Sequence, residues 1–185
     1  MTRVIAGIHR GRELKVPKSV TRPTSSKVRE AIYSAVEHAL SGLTDLRVLD
    51  LYAGSGAYAI EAMSRGAAEA VAIEKDPRAA QIIKLNAENL KLENFRTVTM
   101  DVVTALHGDS KFGKFDLVFI DPPYATKDET ISDLLHQLTV GWLNDGALVV
   151  VERAKGSNIS PPKKITEFAK KVYGDTSVWY GQYED

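Results

Sequence analysis

No cysteine occurs in the chain. That removes disulfides and cysteine-ligated zinc, and it fits a protein of the cytoplasm, the expected compartment. Long apolar runs are also missing: nothing approaches the roughly 20 residues of a membrane-spanning helix, and the first residues lack a signal-like apolar stretch. The four histidines, His9, His38, His107 and His136, show no close metal-ligand spacing, so no metal is expected. There is no internal repeat and no low-complexity segment. Nor is there an excess of charge, because 24 basic residues balance 24 acidic ones. What remains is a chain of 185 residues, 44% of them hydrophobic, which suffices for one domain with a real core.

The balanced charge conceals an asymmetry. Residues 1–30 hold eight cations (Arg3, Arg10, Arg12, Lys15, Lys18, Arg22, Lys27 and Arg29) against Glu13 and Glu30. The remaining residues carry the compensating negative excess. A concentrated basic end is an electrostatic footprint for a phosphate backbone. Val4–Ile8 and Glu13–Val16 are expected to pair as strands around His9-Arg10-Gly11. Residues 1–24 would then be a basic hairpin arm outside the main fold, with residues 25–185 as the main domain. Ser25 or Ser26 is placed to cap a helix carrying Val28, Ile32, Ala35 and Val36 on one face.

From there the sequence alternates strand and helix. Arg47–Leu51 is a short buried strand that runs into Tyr52-Ala53-Gly54-Ser55-Gly56. A helix follows over Ala57–Arg65, with Gly66 at its C-terminal end. Ala70–Glu74 is the next strand, and Asp76-Pro77 caps and starts another helix. Thr97–Met100 is a strand ending at Asp101, and a short helix begins at Val102. Phe115–Ile120 is a strand stopped by Asp121-Pro122-Pro123-Tyr124, because proline cannot continue a ladder. Asp128–Leu138 is a helix, Ala147–Val151 a buried strand, and Lys164–Tyr173 and Thr176–Tyr180 a hairpin turning at Gly174-Asp175. This order implies an α/β fold with a mostly parallel sheet and helices on both faces.

Ligands of such sheets bind at the carboxyl ends of the strands. Asp50, Glu74, Asp101 and Asp121 fall at four such ends. Glycines in the strand-to-helix turn let a ligand approach the backbone, and Glu74, 24 residues after Asp50, has the spacing of an acid that meets ribose hydroxyls. The segment Gly54-Ser55-Gly56-Ala57-Tyr58-Ala59 also fits a dinucleotide fingerprint with a terminal alanine. However, Asp50 beside the turn would oppose a pyrophosphate and favour a ligand carrying an amine or sulfonium cation, as S-adenosylmethionine does. Asp121 and Tyr124, a fixed acceptor beside a flat ring, suit a planar base bearing an exocyclic amine.

The chain resembles the class I S-adenosylmethionine-dependent methyltransferases, and more narrowly the bacterial family that methylates the N2 amine of a guanine in 16S ribosomal RNA. The resemblance runs through Arg3-Val4-Ile5-Ala6-Gly7, Arg10-Gly11-Arg12, Arg22-Pro23-Thr24, Arg29-Glu30-Ala31, Leu49–Gly56, Ser64-Arg65-Gly66-Ala67, Glu74-Lys75-Asp76, Asp121–Tyr124 and Tyr173-Gly174-Asp175-Thr176. Tyr52, Ala57-Tyr58-Ala59 and Ile32-Tyr33-Ser34 depart from the family's usual residues. The resemblance implies a doubly wound, Rossmann-like, seven-stranded sheet. It implies cofactor binding by Asp50, Ala53, Gly54, Ser55, Gly56, Glu74, Lys75, Asp101 and Val102, with Val102 offering backbone contact to adenine. It implies catalysis by Asp121, Pro122 and Tyr124, and RNA contacts from Arg3, Arg10, Arg12, Lys15, Arg22 and Arg29. The expected partner is small-subunit ribosomal RNA or the assembled subunit, without membrane or metal, and the expected state is a monomer.

Other readings stay open on the residues. The tetrapeptide also serves DNA adenine-N6 and cytosine-N4 methyltransferases, although those usually carry a separate target-recognition region. The lack of cysteine disfavours methylation at carbon 5 of cytosine. A nicotinamide-dependent oxidoreductase lacks an evident catalytic set here, and a non-catalytic RNA-binding module would leave the cofactor pattern unused.

Overall fold

The computed structural model describes residues 2–17 and 25–185. Strands β1 (Thr2–Arg3) and β2 (Glu13–Leu14) pair antiparallel, Thr2 opposite Leu14 and Arg3 opposite Glu13. This hairpin is shorter than the expected pairing of Val4–Ile8 with Glu13–Val16. The Val4 amide donates to the Arg12 carbonyl at 3.0 Å and the Gly11 amide to the Val4 carbonyl at 2.9 Å, closing a loop at once. Helix α1 (Ser26–Leu40) is capped by Ser25, whose hydroxyl accepts from the Val28 amide at 3.2 Å. It buries Ile32, Tyr33 and Val36 on one face.

The remaining elements follow in order: β3 (Arg47–Leu51), α2 (Ala57–Ser64), β4 (Glu69–Glu74), α3 (Pro77–Asn89), β5 (Phe95–Thr99), α4 (Val102–Ala105), β6 (Phe115–Ile120), α5 (Asp128–Leu138), β7 (Leu143–Ala154), β8 (Ile165–Tyr173) and β9 (Thr176–Tyr183). Seven of the strands form one sheet in the order β5-β4-β3-β6-β7-β9-β8. β3 to β7 run parallel, while β9 lies antiparallel to both β7 and β8. The expected α/β class and mostly parallel seven-stranded sheet are therefore what the chain forms.

Strand side chains alternate between two apolar layers. Leu49, Leu51, Val118, Ile120, Val149 and Val151 face one layer with α5, and Val48, Leu117, Phe119, Leu148 and Val150 face the other with α1 and α2. Burying each such side chain contributes roughly 1.5–3 kcal/mol. With both faces covered, the parallel strands read as unbroken apolar runs. The chain order reverses direction across the sheet between β3 and β6, the switch point beside whose carboxyl ends such sheets bind their ligands.

The basic arm does not stand outside the domain. Val4 and Leu14 are buried against Ile60 of α2 and Leu90. Glu61 accepts from the amides of Ile5 and Ala6 at 2.7 and 2.9 Å, and Ser64 Oγ accepts from the His9 amide at 3.0 Å. Gly7 lies so close that a Cβ there would sit 1.7 Å from the Ser64 carbonyl oxygen, at a φ of +80.

Candidate active site and nucleic-acid interface

The turn after β3 is shaped by three residues in the left-handed region: Tyr52 (φ 62), Gly54 (φ 56) and Gly56 (φ 75). Gly56 opens α2 with no side-chain cap, and a Cβ there would meet Ile83 Cγ2 at 2.9 Å. The turn is tied to its neighbours through its backbone. Ala53 donates to the Ile73 carbonyl at 3.0 Å, Gly54 donates to Glu74 Oε2 at 2.8 Å, and Gly56 donates to the Ala53 carbonyl at 2.7 Å. The other Glu74 oxygen accepts from the Asp76 amide at 2.9 Å. Ser55 is buried, and Lys75 is exposed beside Glu74.

Asp50 is not at the very end of its strand. It precedes Leu51 within β3 and is 1% exposed. Its Oδ2 accepts from the Ala59 amide at 3.0 Å, while Oδ1 is buried with no hydrogen-bond partner among the described residues. Burial pushes its carboxyl up to about 7, against the pull of the Ala59 amide, and the Glu74 charge pushes in the same direction. An orphaned acceptor with the glycine cradle beside it fits a ligand that brings a cationic donor. Asp101 lies past the end of β5 and caps α4, accepting from Val103 at 3.0 Å and Thr104 at 3.3 Å, with Val102 buried behind it.

Asp121 follows β6 directly. β3 and β6 pair with Leu51 opposite Ile120, and the Asp121 amide points to the Leu51 carbonyl at 3.5 Å. The glycine turn and the Asp-Pro-Pro-Tyr segment therefore leave adjacent strands side by side. Pro122 is buried, whereas Tyr124 is 59% exposed. The loop behind it is pinned by Arg153, which donates to Asp128 Oδ1 at 2.9 Å and to the Thr126 carbonyl at 2.5 Å.

The expected RNA cations divide. Arg3, Arg10, Arg12 and Lys15 are exposed, with Arg3 bridging Glu13 at 2.7 Å. Arg22, like Lys18, lies outside the described residues. Arg29 needs correction as an RNA contact, because it is 2% exposed and its guanidinium donates to the Arg3 carbonyl at 2.5 Å. It holds the arm to α1. The arm lies along α2, with His9 at Ser64 and Lys15 at the other end, where Asn86 accepts from the Lys15 amide and donates to the Lys15 and Ser55 carbonyls.

Sequence reasoning missed Glu61, Asn86, Arg153, Tyr58 and Glu152. Tyr58 donates to Glu152 Oε2 at 2.8 Å beside the end of β6. Glu152 carried a usable signal: it follows the apolar run Ala147–Val151 just as Asp121 follows its own. Among the described residues, no group of three or more metal-binding side chains comes together, and no helix is long and apolar enough to cross a membrane.

Comparison with known proteins gives this geometry a family. The model of the family described as conserved hypothetical protein 95 matches residues 2–182. The chain is 39% identical over 153 residues to ribosomal RNA small subunit methyltransferase D of Escherichia coli K12, covering 81% of this chain and 73% of that one. It is 32% identical over 180 residues to the protein of the same name from Haemophilus influenzae, covering 95% and 90%. The solved structure of yhhF from Escherichia coli superposes with a TM-score of 0.85 at 34% identity, over 99% of this chain and 98% of that one. On these matches the chain belongs to the conserved hypothetical protein 95 family, the class I S-adenosylmethionine-dependent ribosomal RNA methyltransferases that its sequence resembles.

Proposed function

We propose that this protein transfers a methyl group from S-adenosylmethionine to the exocyclic N2 amine of a guanine in small-subunit ribosomal RNA. The observation that carries this reading is the adjacency of the glycine turn and Asp121 on paired strands, with the Asp121 amide 3.5 Å from the Leu51 carbonyl. The relatives named as small-subunit ribosomal RNA methyltransferases supply the substrate class.

The cofactor residues fit by chemistry. Glu74 faces the turn as a ribose acceptor, its carboxylate fixed by the Gly54 and Asp76 amides. Asp50 Oδ1, buried without a partner among the described residues, would accept from the cofactor's ammonium. The Val102 amide would meet the adenine edge, with Asp101 holding the start of α4. Bound S-adenosylmethionine supplies an electrophilic methyl, so the N–C bond forms as the C–S bond breaks and the electron pair stays on sulfur.

Asp121 and the Pro122 carbonyl accept the two hydrogens of the guanine amine. That raises electron density on a nitrogen whose lone pair is otherwise delocalised into the ring, and it aims the amine toward the cofactor side. The proton lost from N2 leaves by way of Asp121 to solvent. Positioning and fixed electrostatics do most of the catalysis. Tyr124 stacks on the base, a contact worth roughly 1–3 kcal/mol. A base paired inside a helix does not reach this site, so the target is looped out or flipped. Arg3, Arg10, Arg12 and Lys15 contact phosphates, and Arg22 is assigned with them.

Transfer of tritiated methyl from S-adenosylmethionine to small ribosomal subunits, their naked RNA and DNA tests the substrate class. Counts in either RNA form and none in DNA support it. Counts in DNA alone would favour the DNA amine methyltransferase that shares the tetrapeptide.

A further inference from the structure

A second carboxylate stands on the β7 side of Asp121. β6 and β7 run parallel, with Phe119 opposite Val150 and Ile120 opposite Val151. The next residues along the chain are Asp121, just past the end of β6, and Glu152, still within β7. Neighbouring strands lie about 4.8 Å apart. Glu152 faces the layer of α1 and α2, since its Oε2 accepts from the Tyr58 hydroxyl at 2.8 Å. Tyr58 is itself fixed: its ring stacks on Phe119 at 4.6 Å between centroids, and its carbonyl accepts from the Tyr33 hydroxyl at 2.5 Å. Glu152 is only 9% exposed. Burying a carboxylate costs free energy unless it is hydrogen-bonded, and the Tyr58 hydroxyl supplies such a bond and fixes where Oε2 points.

We infer that Glu152, oriented by Tyr58, accepts the N1–H of the target base and thereby selects guanine, an inference that rests on the N2-guanine reading above. Guanine presents N1–H directly beside its N2 amine. With the amine hydrogens on Asp121 and Pro122, the neighbouring N1–H falls to the carboxylate on the adjoining strand. Adenine at N1 and cytosine at N3 carry a lone pair instead, which a carboxylate repels. Glu152 is therefore a specificity-determining residue and Tyr58 its positioning residue. A site built to hydrogen-bond a substrate donor rejects the analogue lacking it strongly, because its own acceptor is left unpaired.

The test maps the nucleotide that the wild-type enzyme modifies. It then compares guanosine with 2-aminopurine riboside at that place, in the RNA form the enzyme accepts. 2-Aminopurine keeps the amine but has an acceptor at N1. Wild type should prefer guanosine in kcat/KM by roughly a hundredfold or more. Glu152→Gln, whose amide can donate to N1, should lose roughly tenfold or more on guanosine and shrink the preference by a similar factor. Tyr58→Phe keeps the ring stack and should shift the preference in the same direction by several-fold, with S-adenosylmethionine affinity nearly held and the unfolding temperature lowered by only a few degrees. It also keeps the test open should Glu152→Gln fail to fold. Equal losses on both bases, or an unchanged preference in both variants, would overturn the inference while leaving the N2-guanine reading standing. A wild type that forms no N2-methylguanosine overturns that reading and takes this inference with it.

Discussion

The Gly54 amide donates to Glu74 Oε2 at 2.8 Å, so the glycine turn after β3 and the acid that ends β4 form one rigid structure. The same carboxylate accepts from the Asp76 amide at 2.9 Å, which ties the start of α3 to it as well. A cofactor seated on Glu74 would thereby be coupled to both glycine turn and helix.

Glu74→Ala should weaken S-adenosylmethionine binding by roughly tenfold to a hundredfold, since losing a charged hydrogen-bond partner costs about 1.5–3 kcal/mol. Asp50→Ala should weaken it by a similar factor, and NAD should bind neither variant nor wild type appreciably. Calorimetry reads all of these, and unchanged affinity in both variants would remove the two acids from the cofactor site.

Asp50 also gives a pH signature. Its carboxyl is raised to about 7 in the folded protein by burial, against an ordinary value of 3.8. Over that window the folded state holds a proton that the unfolded chain has released, so this group makes stability fall as pH rises. The loss is complete above about 7. Asp50→Asn abolishes the titration and should be more stable than wild type at pH 8, with the advantage shrinking toward acid. A cationic ligand favours the ionised carboxylate, so affinity for S-adenosylmethionine should climb as pH rises toward about 7 in wild type and stay flatter in Asp50→Asn. Denaturation and calorimetry across pH check both signs.

Much of the fold around this candidate site was legible in the sequence, for identifiable reasons. β3, β6 and α5 have the bounds expected of them, because each is an apolar or amphipathic run, β3 stopped by the left-handed turn that opens at Tyr52 and β6 by Asp121-Pro122-Pro123. The expected strand at Ala147–Val151 extends to Leu143–Ala154, because Leu143 pairs with Phe115 of β6 at one end and β9 pairs with residues 148–154 at the other. The arm departs from its expected place for a different reason. Its backbone acceptors are Glu61 and Ser64, more than 50 residues away, and no local pattern announces them. Arg29 looks like any other cation of the basic end, and only the packing of α1 against the arm shows that it is buried.

The exposed cations and the buried one should therefore behave differently. Replacing Arg10, Arg12 and Lys15 by alanine should leave folding and cofactor affinity nearly intact. It should weaken RNA binding and flatten its log–log salt dependence by about one unit for each phosphate no longer neutralised. Arg29→Ala should instead lower the unfolding free energy, by about 1.5–3 kcal/mol for removal of a charged hydrogen bond. Binding titrations at several salt concentrations and chemical denaturation separate the two. Equal salt slopes in the triple variant and wild type would mean that another surface holds the RNA.

The central claim is that Asp121 receives the N2 amine of a guanine beside the cofactor. Its most direct test is nucleoside mass spectrometry of small-subunit ribosomal RNA after incubation with S-adenosylmethionine and either wild type or Asp121→Ala. The RNA comes from a strain lacking the enzyme. The account predicts N2-methylguanosine with wild type and almost none with Asp121→Ala, whose cofactor affinity stays close to wild type. A methylated adenosine or cytidine instead, or undiminished N2-methylguanosine with Asp121→Ala, would contradict it.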